Sequence, residues 1–257
     1  MNIHYTTVTG RRDKNEDGHN IEINLNAKNN KNNINLFGIY DGHGGNEVSK
    51  FLEKKVPKIY LDKKNIFPFS KTFHINIFKE LQKKILENEA GFYSGSTCII
   101  CIIYKKNNNL YMNVLNLGDC RLVILYKNNK FNTLTIDHKP DEIGEKERIK
   151  LLGGTVIKDN EGTYRIGDLA VSRAFGDGDN APYISQIPDI YYKRITDNTE
   201  YIVIACDGLW DVINNNELHP LIKKFKENGS KNLAISLVNE ALKRKSGDNI
   251  SVIVIEI

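Results

Sequence analysis

An α+β layered sandwich is the fold this sequence predicts, on three observations. Short apolar runs recur along the 257 residues, several joined by links too short for a helical crossover. Separate blocks between them carry helical periodicity. Aspartates sit at the tips of the apolar runs, beside glycines that let the backbone turn tightly. The length suits one large domain or two small ones, and a chain this size can bury a sizeable core. With no internal repeat and no Pro/Ser-rich linker, residues 1–257 read as a single domain.

In chain order, strands are expected at 21–25, 34–40, 97–104, 110–117, 121–126, 201–206 and 251–257. Residues 105–109 link two of these as a hairpin would, and Gly118-Asp119-Cys120 links another pair, so the sheets should be largely antiparallel. Helices are expected at 47–60, after a Gly-rich turn, and at 72–89, where Phe73, Ile77, Leu81 and Ile85 recur at i, i+4. Asp141 can cap a third helix running to Leu152, stopped by Gly153-Gly154. Ser230 can cap a fourth, whose Leu233, Ala234, Leu237, Val238, Ala241 and Leu242 form one apolar stripe. The Asn/Lys clusters at 26–35, 105–109, 127–130 and 214–216 read as enlarged polar loops.

Composition narrows the function classes. No window approaches the ~18 consecutive apolar residues of a membrane span, and Met1-Asn2-Ile3-His4 has neither a signal pattern nor a glycine for myristoylation. A soluble protein of the cytoplasm and/or nucleus is expected. The net charge of +4 comes from scattered lysines; Lys223-Lys224 and Lys243-Arg244-Lys245 read as solvated helix faces, because no nucleic-acid motif accompanies them. Cys98 and Cys101 have the spacing of a redox or zinc pair, yet on a strand their sulfurs face opposite sides. All four cysteines therefore read as free thiols, with Cys120 a candidate for oxidation sensitivity if it is exposed beside Asp119.

The acids carry the chemistry. Asp41-Gly42-His43-Gly44-Gly45, Gly118-Asp119-Cys120-Arg121 and Asp207-Gly208-Leu209-Trp210-Asp211 each end an apolar run, and Gly247-Asp248-Asn249 opens the last. Upstream lies Arg12-Asp13-Lys14-Asn15-Glu16-Asp17. A single Asp-Gly is a turn, but five acidic turns in one chain supply what a hard divalent cation needs. Two such ions ~4 Å apart can hold a hydroxide and orient a phosphoryl group for in-line attack. Asp41 and Asp207 follow their strands while Asp248 precedes its own, so antiparallel neighbours would place all three on one sheet edge. A metal-dependent hydrolase is the reading.

Eight motifs in order resemble the type 2C metal-dependent serine/threonine protein phosphatases. To those above they add Ser94-Gly-Ser-Thr97, Asp137-His-Lys-Pro140 and the run from Leu169 to Asp177. The resemblance implies two mainly antiparallel sheets stacked face to face and flanked by helices, a four-layer α+β sandwich with metals at one end. It implies Asp41 as bridging ligand with the Gly42 carbonyl beside it, Asp207 and Asp248 on one metal, and Glu16 and Asp17 on the other, partly through water. Asp119 and Asp211 resemble acids that form a weaker third site with Asp207. Arg12 resembles the phosphate-binding guanidinium and His43 the general acid that protonates the leaving alkoxide.

The implied reaction is hydrolysis of phosphoserine and phosphothreonine in proteins by a hydroxide bridging two Mn²⁺ or Mg²⁺ ions, without a phosphoenzyme. The expected protein is a monomer that acts on phosphorylated proteins and engages neither nucleic acid nor membrane. Cys98 and Cys120 stand where the family often has Ala and Ser, and the flap region 153–173 is short. With no regulatory extension, a minimal enzyme or an excised catalytic domain is expected. The rival readings are a pseudophosphatase-type binding module of the same fold and, second, a phosphatase of small phosphate esters or an inactive sensor domain of the same fold.

Overall fold

The computed structural model describes residues 1–25, 34–62 and 67–257. The loop expected at 26–35 lies outside them up to residue 33, and its last two residues open a strand.

Among the described residues, ten strands of three residues or more build two five-stranded sheets. In chain order they are β1 (Asn2–Val8), β2 (Gly18–Leu25), β3 (Ile34–Tyr40), β4 (Cys98–Lys106), β5 (Asn109–Leu117), β6 (Arg121–Tyr126), β7 (Phe131–Thr133), β8 (Asp189–Ile195), β9 (Thr199–Ala205) and β10 (Ile250–Glu256). One sheet runs β1-β10-β9-β6-β7 and the other β8-β5-β4-β3-β2, with all neighbours antiparallel.

The central strands are buried on both faces. In β4, Ile99, Cys101 and Ile103 enter a core between the sheets, while Cys98, Ile100 and Ile102 enter a second core under helices. In β10, Ile253 and Ile255 face the inter-sheet core and Ile250, Val252 and Val254 a third core, under the helices of the other sheet. Period-2 alternation thus sorts each strand's apolar side chains between an inner and an outer core, and such strands read as unbroken apolar runs although the sheets are antiparallel. The two-residue turn Asn107-Asn108 joins β4 to β5, both residues at positive φ (49° and 62°), as a type I′ hairpin needs.

Helices cover the outer faces. α1 (Glu47–Leu61) buries Val48, Leu52, Val56 and Tyr60 on the second sheet. α2 (Lys71–Leu86) starts where Ser70 Oγ accepts from Phe73 N–H. Its buried face is His74, Phe78, Leu81, Gln82 and Ile85, so the expected stripe is rotated and Phe73 and Ile77 lie at its margin. α3 (Ile143–Leu151) is capped by Glu142 rather than Asp141. α4 (Leu218–Glu227) and α5 (Leu233–Lys243) cover the first sheet, and Asn232 caps α5 in place of Ser230. Among the described residues no helix is long and apolar enough to cross a membrane.

One link differs from its expected use. Gly118-Asp119-Cys120 joins β5 in one sheet to β6 in the other, so it crosses the end of the sandwich instead of closing a hairpin. A small satellite core of Ile149, Ile166, Val171, Ala174 and Ile184 sits under the flap region.

Candidate metal centre

The acids reach one place from two sheets. Asp41 follows β3, whereas Asp207 follows β9 and Asp248 precedes β10 in the other sheet. They do not line a single sheet edge, as antiparallel pairing alone suggested. Asp207 and Asp248 do so, and Asp41 comes from the second sheet because the two layers stack with these ends together. Asp119, on the crossing link, arrives between them.

Carboxylate oxygens of Asp41, Asp119 and Asp207 lie within 4.8 Å of one another, and ligand atoms of Asp17, Asp41 and Cys206 form a second such group. Burial first, then the neighbouring charges of Asp207, Asp17 and Asp119, push Asp41 well above the ordinary carboxylate range. Asp207 is raised too, by burial and by Asp119. Asp17 rises to about 6, mainly through burial, although Ser251 Oγ donates to its Oδ2 at 2.5 Å. Its other oxygen, Oδ1, is buried without a hydrogen-bond partner among the described residues.

The remaining candidates ring this centre. Glu16 Oε2 accepts from Gly45 N–H at 3.2 Å, and a Cβ on Gly42 would collide with the Glu16 carbonyl oxygen, so only glycine lets the two segments close up. Arg12 Nη2 donates to Asp248 Oδ2 at 2.7 Å and stands 59 % exposed at the rim. Asp211, exposed, ends the helical turn Asp207–Trp210 and falls outside both close groups. His43 Nε2 lies 2.9 Å from both oxygens of Asp177. Burial pulls His43 down, but the Asp177 hydrogen bond and charge outweigh it and the net shift is upward.

Three participants escaped the residue-level reading of the sequence. Lys139 Nζ pairs with Asp119 and lies 4.0 Å from Asp207. Asp177 holds His43 where the motif alone gave it only a supporting place. Asn249 binds the N-terminal loop to the β10 entry: its Oδ1 accepts from Glu16 N–H, and its Nδ2 donates to the Thr9 and Lys14 carbonyls. Each lies inside a quoted motif; what the string lacked was the partner. By contrast, Arg121 grips Asp137 with two nitrogens and His138 Nδ1 accepts from Gly118 N–H, so these two support the loops.

All four cysteines are free and buried. Burial raises the Cys120 thiol well above its usual value, which withdraws the expected oxidation sensitivity: a buried, protonated sulfur is a poor nucleophile.

The donor set fits hard divalent cations. Buried carboxylates crowded enough to raise Asp41 above its usual range, one buried oxygen with no partner among the described residues, and a glycine approach beside Asp41 make a site that positive charge would relax.

Known proteins share this framework. The family described as Protein phosphatase 2C matches residues 1–250. "Probable protein phosphatase 2C 28" of Arabidopsis thaliana is 33 % identical over 224 residues, covering 87 % of this chain and 64 % of that protein. "Probable protein phosphatase 2C 7" of Oryza sativa subsp. japonica is 34 % identical over 259 residues, covering 100 % and 66 %. The chain thus spans less than two thirds of the length of these relatives, and 48 % of another. A solved C. elegans sex determining protein superposes with TM-score 0.85 at 25 % identity, over 99 % of this chain and 64 % of that one. The serine-threonine phosphatase 2C of Toxoplasma gondii has the same fold: TM-score 0.78, 24 % identity, 98 % and 93 % covered.

Proposed function

Because the chain belongs to the protein phosphatase 2C family, we propose that it hydrolyses phosphoserine and phosphothreonine in proteins with divalent cations held in its acidic cleft. The observation that carries the reading is the convergence of Asp41, Asp119 and Asp207 within 4.8 Å from both sheets. Asp41 and the Gly42 carbonyl would help to hold two Mn²⁺ or Mg²⁺ ions. Asp207 and Asp248 would hold one, and Glu16 and Asp17 the other. Asp119 and Asp211 would join Asp207 at a weaker third position. When bound, the cations supply nucleophile activation and neutralise phosphoryl charge.

The chain's own groups do the rest. The Arg12 fork, at the exposed rim, would turn from Asp248 to the phosphate oxygens. His43 keeps Nε2 on Asp177, so the proton it can hand to the leaving alkoxide sits on Nδ1. Asp177 stabilises that imidazolium and fixes the ring. We extend the proposal to a single catalytic domain acting as a monomer on phosphorylated proteins.

The test is a phosphothreonine-peptide assay with Mn²⁺ or Mg²⁺, using Asp207→Ala as control. Turnover is expected with metal and is expected to vanish with chelator and in the variant. No turnover with either ion would sink the enzyme reading, and activity that survives chelator or Asp207→Ala would sink the metal mechanism.

A further inference from the structure

Lys139 puts an ammonium against the cluster that the cations would use. Its Nζ pairs with Asp119 Oδ2 and stands 4.0 Å from Asp207 Oδ2, two of the three acids that converge within 4.8 Å. The Asp119 side chain is 3 % exposed, so this is no solvated surface pair. The backbone beneath Lys139 is pinned. His138 N–H donates to the Gly118 carbonyl and His138 Nδ1 accepts from Gly118 N–H. His138 Nε2 lies 3.3 Å from Asp189 Oδ2, and Asp137 is gripped by Arg121. The Lys139 side chain itself is 36 % exposed, and its flexible stem lets the ammonium leave without moving that backbone.

An ammonium and a divalent ion cannot share these oxygens, because like charges a few ångströms apart repel strongly in a half-buried site. We propose that Lys139 is a built-in cation for the weakest metal position: its ammonium neutralises Asp119 and Asp207 in the metal-free protein, and a third divalent ion binds there only by displacing it. The inference rests on the metal-centre reading above. Lys139 acts through the two acids and is a positioning residue.

Calorimetric titration of Mn²⁺ tests this on the wild type, Lys139→Met and Lys139→Arg. In Lys139→Met the weakest binding step should tighten about 10-fold, because the ion no longer has to displace an ammonium from Asp119 and Asp207. The thermal midpoint of the metal-free protein should fall. Lys139→Arg keeps the cation and should retain the weak step. In an Asp119→Asn background, which removes the closer partner of the ammonium, Lys139→Met should tighten Mn²⁺ binding far less. A wild-type crystal soaked in rising Mn²⁺ gives a readout that needs no folded variant: Lys139 should swing out as the third ion enters. A weak step unmoved by Lys139→Met, or an ion on Asp119 and Asp207 with Lys139 still in place, overturns this inference alone. No Mn²⁺ binding by the wild type overturns the metal-centre reading beneath it.

Discussion

Asp177 sits at φ 49°, in the left-handed region, and places both carboxylate oxygens 2.9 Å from His43 Nε2. A non-glycine residue there costs on the order of 1 kcal/mol and persists where its surroundings demand it. Asp177→Asn keeps the shape and removes the charge. Its kcat on a phosphothreonine peptide should drop about 10-fold or more, with KM and Mn²⁺ affinity little changed. The sign of the pH effect follows from the net upward shift of His43: without the Asp177 charge the imidazolium gives up its proton at lower pH, so the basic limb of the kcat profile moves down. An unmoved limb with unchanged kcat would remove the role. At this scale the string Asp41-Gly42-His43 was legible and its partner was not, because Asp177 lies 134 residues away.

The α1–α2 pair encloses a second histidine. Tyr60 O–H meets His74 Nδ1 at 2.9 Å, and Nε2 is buried without a partner among the described residues. Burial lowers His74 to about 4. The unfolded chain therefore takes up the proton first, near its ordinary 6.5. Stability from this position is fully present above that value and is lost as pH falls, by about 2 kcal/mol at pH ~5. Urea unfolding of wild type and His74→Gln should show the wild type losing about that much more between pH ~7 and ~5; parallel pH slopes would refute it. Element by element, the central strands were legible because burial on both faces leaves an apolar run. The strands that escaped, β1, β7 and β8, are all sheet edges, where one-sided burial and polar residues such as Thr6, Thr7, Lys193 and Arg194 break the run. α4 escaped because Pro220 interrupts its pattern, though proline is tolerated in a first turn.

Stacking two sheets with their acidic ends together creates the whole molecule's main tension. Asp41 and Asp207 stand well above the ordinary range and Asp17 at about 6. Folded values above unfolded ones mean that this cluster favours the metal-free fold at low pH, and the contribution of Asp17 is lost as pH rises through about 6. Divalent ions must replace those protons, so the rise in thermal midpoint on adding Mn²⁺ should be larger at pH ~7.5 than at pH ~5.5, by about twofold or more. Scanning calorimetry checks this, and equal rises at both pH values would count against carboxylate ligation. The sequence by itself determined the family, the α+β class, the antiparallel central strands and which acids stand at strand ends, because periodicity and turn chemistry are local. Only the tertiary structure decided that Asp41 meets Asp207 across two sheets, that the Gly118–Cys120 link spans the sandwich, and that Lys139 and Asp177 join the site. Those pairings depend on how layers stack and on contacts between residues far apart in the chain, which no local pattern encodes.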